Sequence, residues 1–161
     1  HGVAMRLIPK KFFICSGSSF SKVSSLNAFD VALLKAGISE QNLVAVSSVI
    51  PVGAVRTEPE KMPMGAVTHC VLAQMRGVGG EQIAAGIAYA FRKDGKGGYV
   101  AEGHLHGCKD ALRKDLEWKM REMARIRDIE LDEVSYVLED GAVPDGEHGC
   151  CLAALVFTEY E

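Results

Sequence analysis

Residues 42–51, Asn-Leu-Val-Ala-Val-Ser-Ser-Val-Ile-Pro, set two adjacent hydroxyls, Ser47 and Ser48, in an otherwise apolar run that a proline ends. A serine hydroxyl that directly follows a peptide carbonyl can attack it, moving the acyl group from nitrogen to oxygen and turning the Ser47–Ser48 amide into an ester. β-Elimination of that ester leaves dehydroalanine at position 48, and hydrolysis converts it to a pyruvoyl group. The reaction needs a constrained backbone and a donor that polarises the attacked oxygen. Pro51 helps with the first requirement. The same pair has a plainer reading, because hydroxyls at a strand end commonly bond nearby backbone and start a turn.

A second group with chemical potential is His104, His106 and Cys108. Side chains 104 and 106 share a strand face, and two imidazoles beside a thiol can begin a zinc site that His148 and Cys150 would complete. Two or three ligands on one short stretch do not close such a site. Satisfied or solvent-facing histidines are the expectation, and no metal is expected. Arg-Gly-Val-Gly-Gly-Glu-Gln at 76–82 lacks both the dinucleotide spacing and the P-loop lysine, so it reads as a tight turn. Trp118 and the neighbouring methionines lie at helical spacing and read as packing residues. The acidic run 128–132 reads as solvated surface.

The elements that must hold these residues fit one domain. With 161 residues and 48% hydrophobic content, the chain can bury a single sizeable core, so residues 1–161 are read as one unit. A net charge of −3 gives no attraction to phosphate backbones or anionic lipid, which argues against nucleic acid and membranes as partners. Five irregularly spaced cysteines, mostly in apolar runs, read as free thiols in a reducing compartment, and the chain is expected to be cytoplasmic. The N-terminal basic flank precedes an apolar run too short for a signal peptide or membrane span. The chain opens at His1 without methionine, and its first residues are expected to be a cloning remnant.

Lys11 to Cys15 reads as a strand, with the polar 16–25 stretch connecting it to a short helix. Asn27 is the expected N-cap of that helix and Gly37 its left-handed stop, with Asp30 and Leu33 on one face. Residues 42–50 read as a buried strand. Alternation sends Asn42, Val44, Val46 and Ser48 one way and Leu43, Ala45, Ser47 and Val49 the other. Further β-like segments follow at 64–76, 82–93 and 97–107, the middle one helix-compatible through its Ala and Gln. From Lys109 to Arg127 the period changes: Leu112, Leu116, Met120 and Met123 recur every three to four residues against a charged face. Two strands close the chain around an acidic loop. These elements predict an α+β layered sandwich of largely antiparallel sheet with two packed helices.

Ser-Leu-Asn-Ala-Phe-Asp-Val-Ala-Leu-Leu-Lys-Ala-Gly-Ile at 25–38, followed by the serine-pair segment and then by Met-Pro-Met-Gly-Ala-Val at 62–67, resembles the pyruvoyl-dependent arginine decarboxylase family in order and spacing. The likeness continues through Gly-Gly-Tyr-Val-Ala-Glu, Arg-Glu-Met-Ala-Arg-Ile and Ile-Glu-Leu-Asp-Glu-Val to Gly-Cys-Cys-Leu-Ala-Ala-Leu-Val-Phe. It implies self-cleavage between Ser47 and Ser48 into pieces 1–47 and 48–161. Ser48 would become the pyruvoyl group, forming a Schiff base with substrate and accepting electrons as carbon dioxide leaves, with no external cofactor. Glu102 matches the family acid that protonates carbon, and apolar surroundings are expected to keep it protonated. Its plain alternative is a solvent-facing strand-end glutamate.

The resemblance further implies that Asp30 faces the substrate guanidinium, with Leu33 and Val49 as additional substrate contacts, and that Asn42 serves processing. For Asp30 the alternative is an ordinary first-turn aspartate favoured by the helix dipole. Six residues of straight strand span roughly 20 Å, so Asn42 reaches Ser48 only if the strand bends or another subunit supplies it. The resemblance implies a trimer with sites between protomers, a form open to heterologous contacts. The expected activity is conversion of arginine to agmatine, a polyamine precursor. Decarboxylation of another amino acid, and an uncleaved non-catalytic relative that only binds or scaffolds, are the alternatives.

Overall fold

The computed structural model describes residues 5–161; residues 1–4, where a remnant is expected, lie outside them. The chain runs β1 (Pro9–Ser21), α1 (Ser25–Ala36), β2 (Asn42–Ala45), β3 (Val49–Ile50), β4 (Val55–Arg56), β5 (Val67–Val78), β6 (Gln82–Phe91), β7 (Gly98–Leu105), α2 (Lys109–Arg127), β8 (Ser135–Ala142) and β9 (His148–Tyr160). One sheet has the order β2-β5-β9-β1-β4 and the other β3-β7-β6-β8. Pairing is antiparallel except at the edges of the first sheet, where β2 joins β5 and β4 joins β1 in parallel.

The sheets face one another across a core that includes Phe12, Ile14, Val71, Ile83, Ile87 and Leu155. α1 covers the outer face of the first sheet through Ala28, Ala32 and Leu33, packed on Phe13, Leu152 and Val156. α2 covers the second through Leu112, Leu116 and Met120, packed on Ala84 and Ala88. The result is a four-layer α+β sandwich, as the pattern predicts.

α2 spans the expected residues and buries Leu112, Leu116 and Met120 of the expected stripe, with Met123 partly buried. Cys108 at its start offers no side-chain cap, and the Asp140 carboxylate on β8 accepts the Lys109 N–H instead, at 2.9 Å. Gly37 ends α1 at φ 82°, its N–H bonded to the Leu33 and Leu34 carbonyls. The turn at 79–80 is tight, as expected, with Gly80 at φ 89°.

Other readings need correction. β1 does not stop at Cys15 but continues to Ser21, pairing Ser16 with Ala153 and onward to Ser21 with His148. Its serines stay in the sheet because their hydroxyls are met: Ser16 donates to Glu139 at 2.9 Å and Ser19 to the Ala28 carbonyl at 2.5 Å. Gly17 lets α1 lie close, since a Cβ there would sit 2.5 Å from the Ala32 carbonyl oxygen. The N-cap of α1 is Ser24, whose Oγ accepts the Asn27 N–H at 3.1 Å; Asn27 itself lies in the first turn. Segment 82–91 is a strand, buried on both faces between β7 and β8. Trp118 does not pack: it projects from α2 with 73% of its surface exposed.

The largest departure concerns 42–50. In place of one buried strand the chain makes β2 on the edge of the first sheet, leaves the ladder at 46–48, and enters the second sheet as β3. Val44, Val46 and Val49 are exposed in the single chain.

The five thiols are free, and burial pushes Cys15 and Cys151 up to about 12 and Cys70 and Cys150 up to about 11. Only Cys108 is exposed. A thiol-reactive dye at pH 8 should therefore modify one cysteine per native chain and five after unfolding, counted by absorbance, because the thiolate is the reactive form. Gly17→Ala should lower stability by about 1–3 kcal/mol through overpacking, read as a lower urea midpoint with an unchanged slope.

Candidate active site

The serine pair sits where the backbone changes sheets. On one side the Val46 N–H donates to the Cys70 carbonyl of β5 at 2.9 Å, the last bond to the first sheet. On the other, the Ser48 carbonyl accepts the Val100 N–H of β7 at 2.9 Å, the first bond to the second. Ser47 alone bridges the gap, and among the described residues no hydrogen bond reaches its carbonyl. Beyond the pair, Val49 and Ile50 register with Tyr99 and Gly98. Gly97 permits this approach at φ 91°, where a Cβ would meet the Ile50 carbonyl at 2.5 Å. Pro51 then closes a turn through its carbonyl to the Ala54 N–H.

A cleft of about 460 Å³ opens at this crossing, lined by Ser47, Ser48, Glu102 and, from α2, Lys119, Glu122 and Met123. That volume lies within the usual range for small-molecule sites. Glu102 and Ser48, far apart in sequence, thus share one cavity. Because β3 is two residues long and the last bond to β7 is the Val100 N–H to the Ser48 carbonyl, the β7 edge beyond Val100 is bare. Glu102 is consequently exposed in the single chain, and the expected desolvating surroundings are not supplied by the chain itself. The Lys119 ammonium donates to the Glu102 backbone carbonyl at 3.1 Å and pairs with Asp115 at 2.9 Å, tying β7 to α2 beside the acid.

Ser47 also lines a smaller cleft of about 240 Å³ with Val46, Val49, Pro51, His69 and Tyr160. Val49 therefore faces this cleft and not the one holding Glu102. His69 Nδ1 and the Tyr160 hydroxyl lie 2.5 Å apart, and burial pushes the phenol above its ordinary range. Leu33 and Asn42 line a third cavity, of about 370 Å³, with Phe29 and Gln41. The Asn42 side-chain amide donates to the Gly65 carbonyl at 2.9 Å, tying the start of β2 to the Met-Pro-Met-Gly turn. Asp30 is exposed on α1. Within one chain, then, Ser47, Ser48 and Glu102 come together while Asp30, Leu33 and Asn42 do not join them.

The position suits a group built from Ser48. Ser48 is half-buried at the cleft and anchored through its own carbonyl, so losing its amide nitrogen would leave that anchor intact. The histidine cluster disperses: His106 pairs with Glu81 at 2.7 Å, His104 is exposed, and His148 is half-buried beside a fully buried Cys150. No set of three metal-ligating side chains occurs among the described residues. Sequence reading missed Lys119, Glu122, His69 and Tyr160. The first two belong to a helix flank that looks merely solvated; nothing in the pattern marks the part that meets β7.

The chain matches the family described as pyruvoyl-dependent arginine decarboxylase over residues 11–161. Proteins named pyruvoyl-dependent arginine decarboxylase are similar to it. The one from Methanopyrus kandleri is 32% identical across 93% of this chain and 97% of its own. The Methanocaldococcus jannaschii protein is 34% identical across 91% and 88%, and that of Methanothermobacter thermautotrophicus 30% identical across 95% and 99%. With the match running from within β1 to the last residue, the chain belongs to the pyruvoyl-dependent arginine decarboxylase family.

Proposed function

We propose that the chain cleaves itself between Ser47 and Ser48 and, with the pyruvoyl group so formed at position 48, decarboxylates L-arginine to agmatine, a polyamine precursor. The observation that carries this reading is the sheet switch: the Val46 N–H and the Ser48 carbonyl are bonded to different sheets, which leaves the Ser47 carbonyl out of either ladder between fixed flanks. When present, a pyruvoyl group supplies a keto carbon that captures an amine and a sink for the electrons released with carbon dioxide.

The chain's own residues supply the rest. The Val100 N–H holds the Ser48 carbonyl oxygen, a fixed donor where negative charge would gather. Glu102, in the same cleft, delivers a proton to substrate carbon. Met123 and Ile126 line one side of the cleft with apolar surface.

Two deficits of the single chain point to an oligomer: the Ser47 carbonyl has no donor among the described residues, and Glu102 is open to solvent. A neighbouring copy supplies both donor and cover in a closed ring, for which we favour a trimer. Its Asn42 polarises the Ser47 carbonyl, and its Asp30 and Leu33 meet the substrate side chain, the carboxylate pairing with guanidinium. Exposed Val44, Val46, Val49, Met64 and Val67 around the serine segment and β2 are apolar surface suited to that contact. Free thiols accord with a reducing, cytoplasmic setting, and no helix among the described residues is long and apolar enough to cross a membrane.

Purified protein should run on a denaturing gel as two fragments, 1–47 and 48–161, with borohydride or hydrazine labelling the larger at position 48. Ser48→Ala should give one band and release no carbon dioxide from arginine. An intact, unlabelled polypeptide that nevertheless made agmatine would overturn the mechanism, and an intact inactive one would favour a binding or scaffolding relative.

In cleaved enzyme, Glu102→Gln should lower kcat by about 10²–10⁴. Asp30→Ala should reduce kcat/KM for arginine about tenfold or more while both fragments still form. Both are read by following agmatine formation.

A further inference from the structure

α2 gives the cleft at Ser48 a second carboxylate. Glu122 lines the same cavity as Ser48 and Glu102, and its oxygens are held by a guanidinium: Arg125 Nε donates to Oε2 at 2.9 Å and Nη2 to Oε1 at 2.5 Å. Two roughly parallel bonds from one edge of the guanidinium make the fork arrangement in which carboxylates recognise this group best. The Arg125 side chain is 71% exposed and that of Glu122 55%, and ion pairs so open to water contribute little to stability. The arrangement therefore costs little to exchange.

The surroundings suit an arginine side chain. Met123 and Ile126 offer apolar contact for a methylene stem. The cation that lines the cleft, Lys119, is already bonded to Asp115 and to the Glu102 carbonyl, so it does not neutralise Glu122. Arg125 holds the Glu122 carboxyl below the ordinary carboxylate range, which keeps it ionised at neutral pH.

We propose that Glu122 is a guanidinium-binding residue of this cleft, occupied by Arg125 in the free protein and exchanged to the substrate's guanidinium on binding. The proposal deepens the decarboxylase reading and rests on it. One forked pair replaces another, so the bonds themselves nearly cancel. Preference for the substrate arises because its amine end is held at position 48, which raises the local concentration of its guanidinium beside Glu122. Glu122 thereby adds a carboxylate from the same chain as Ser48 to whatever Asp30 provides.

The test measures KM and kcat for arginine on cleaved enzyme, and agmatine affinity by calorimetry. Glu122→Gln should raise KM and weaken agmatine binding by about tenfold, the loss falling on KM more than kcat. Arg125→Ala should do the opposite, tightening both by about two- to threefold, and this gain should vanish in the double variant. Unchanged KM and agmatine affinity in Glu122→Gln, or weaker binding in Arg125→Ala, would overturn the proposal. Wild-type protein that neither cleaves nor releases carbon dioxide would instead defeat the decarboxylase reading itself and, with no group at position 48 to hold the amine, this proposal with it.

Discussion

The structure depends on a backbone held by different sheets on either side of a single residue. Val46 is bonded to β5 and Ser48 to β7, leaving the Ser47–Ser48 peptide to span the gap. A hydroxyl in an ordinary strand has its neighbouring carbonyl engaged in a ladder bond, which both steadies the carbonyl and keeps the chain extended. Here neither restraint acts on Ser47, while the residues flanking it are fixed. That combination of a fixed frame and a free peptide distinguishes this serine pair from the many that merely begin turns.

The layers on either side serve this crossing. β7 contributes the backbone donor at Val100, on the edge that meets Ser48, and, two residues on, Glu102, which lines the same cleft. α2, packed through Leu112, Leu116 and Met120, brings Lys119, Glu122 and Met123 to the same cleft. The short β3 leaves the edge of β7 uncovered, and α1 with β2 carries Asp30, Leu33 and Asn42 elsewhere. Within one chain the residues that the family likeness singles out thus fall into two separate groups.

Much of this was legible in the residues, unevenly so. α2 could be read to its ends because its stripe is one-sided and uninterrupted, and Gly37 marked the end of α1 because few other residues tolerate its φ. β1 was cut short because polarity was read as exposure, whereas Ser16 and Ser19 have specific acceptors that only the folded layers supply. β6 resembled a helix because a strand buried on both faces shows no alternation. The family motifs singled out Ser48 and Glu102, but which residues share a cavity depends on packing between layers. For that reason Lys119 and Glu122 looked like ordinary surface, and the Glu102 environment was read as drier than a single chain makes it.

The threading of β1 carries a last consequence. It lies between β9 and β4, both C-terminal to the serine pair, and α1 rests on the sheet that they form together. A molecule nicked at residue 47 would keep its N-terminal piece woven through the middle of a sheet, with no path of release short of dismantling that layer. Once taken apart, however, it could regain its shape only by collision of two separate polypeptides, so recovery after denaturation would depend on concentration and durability would reside in the barrier to opening.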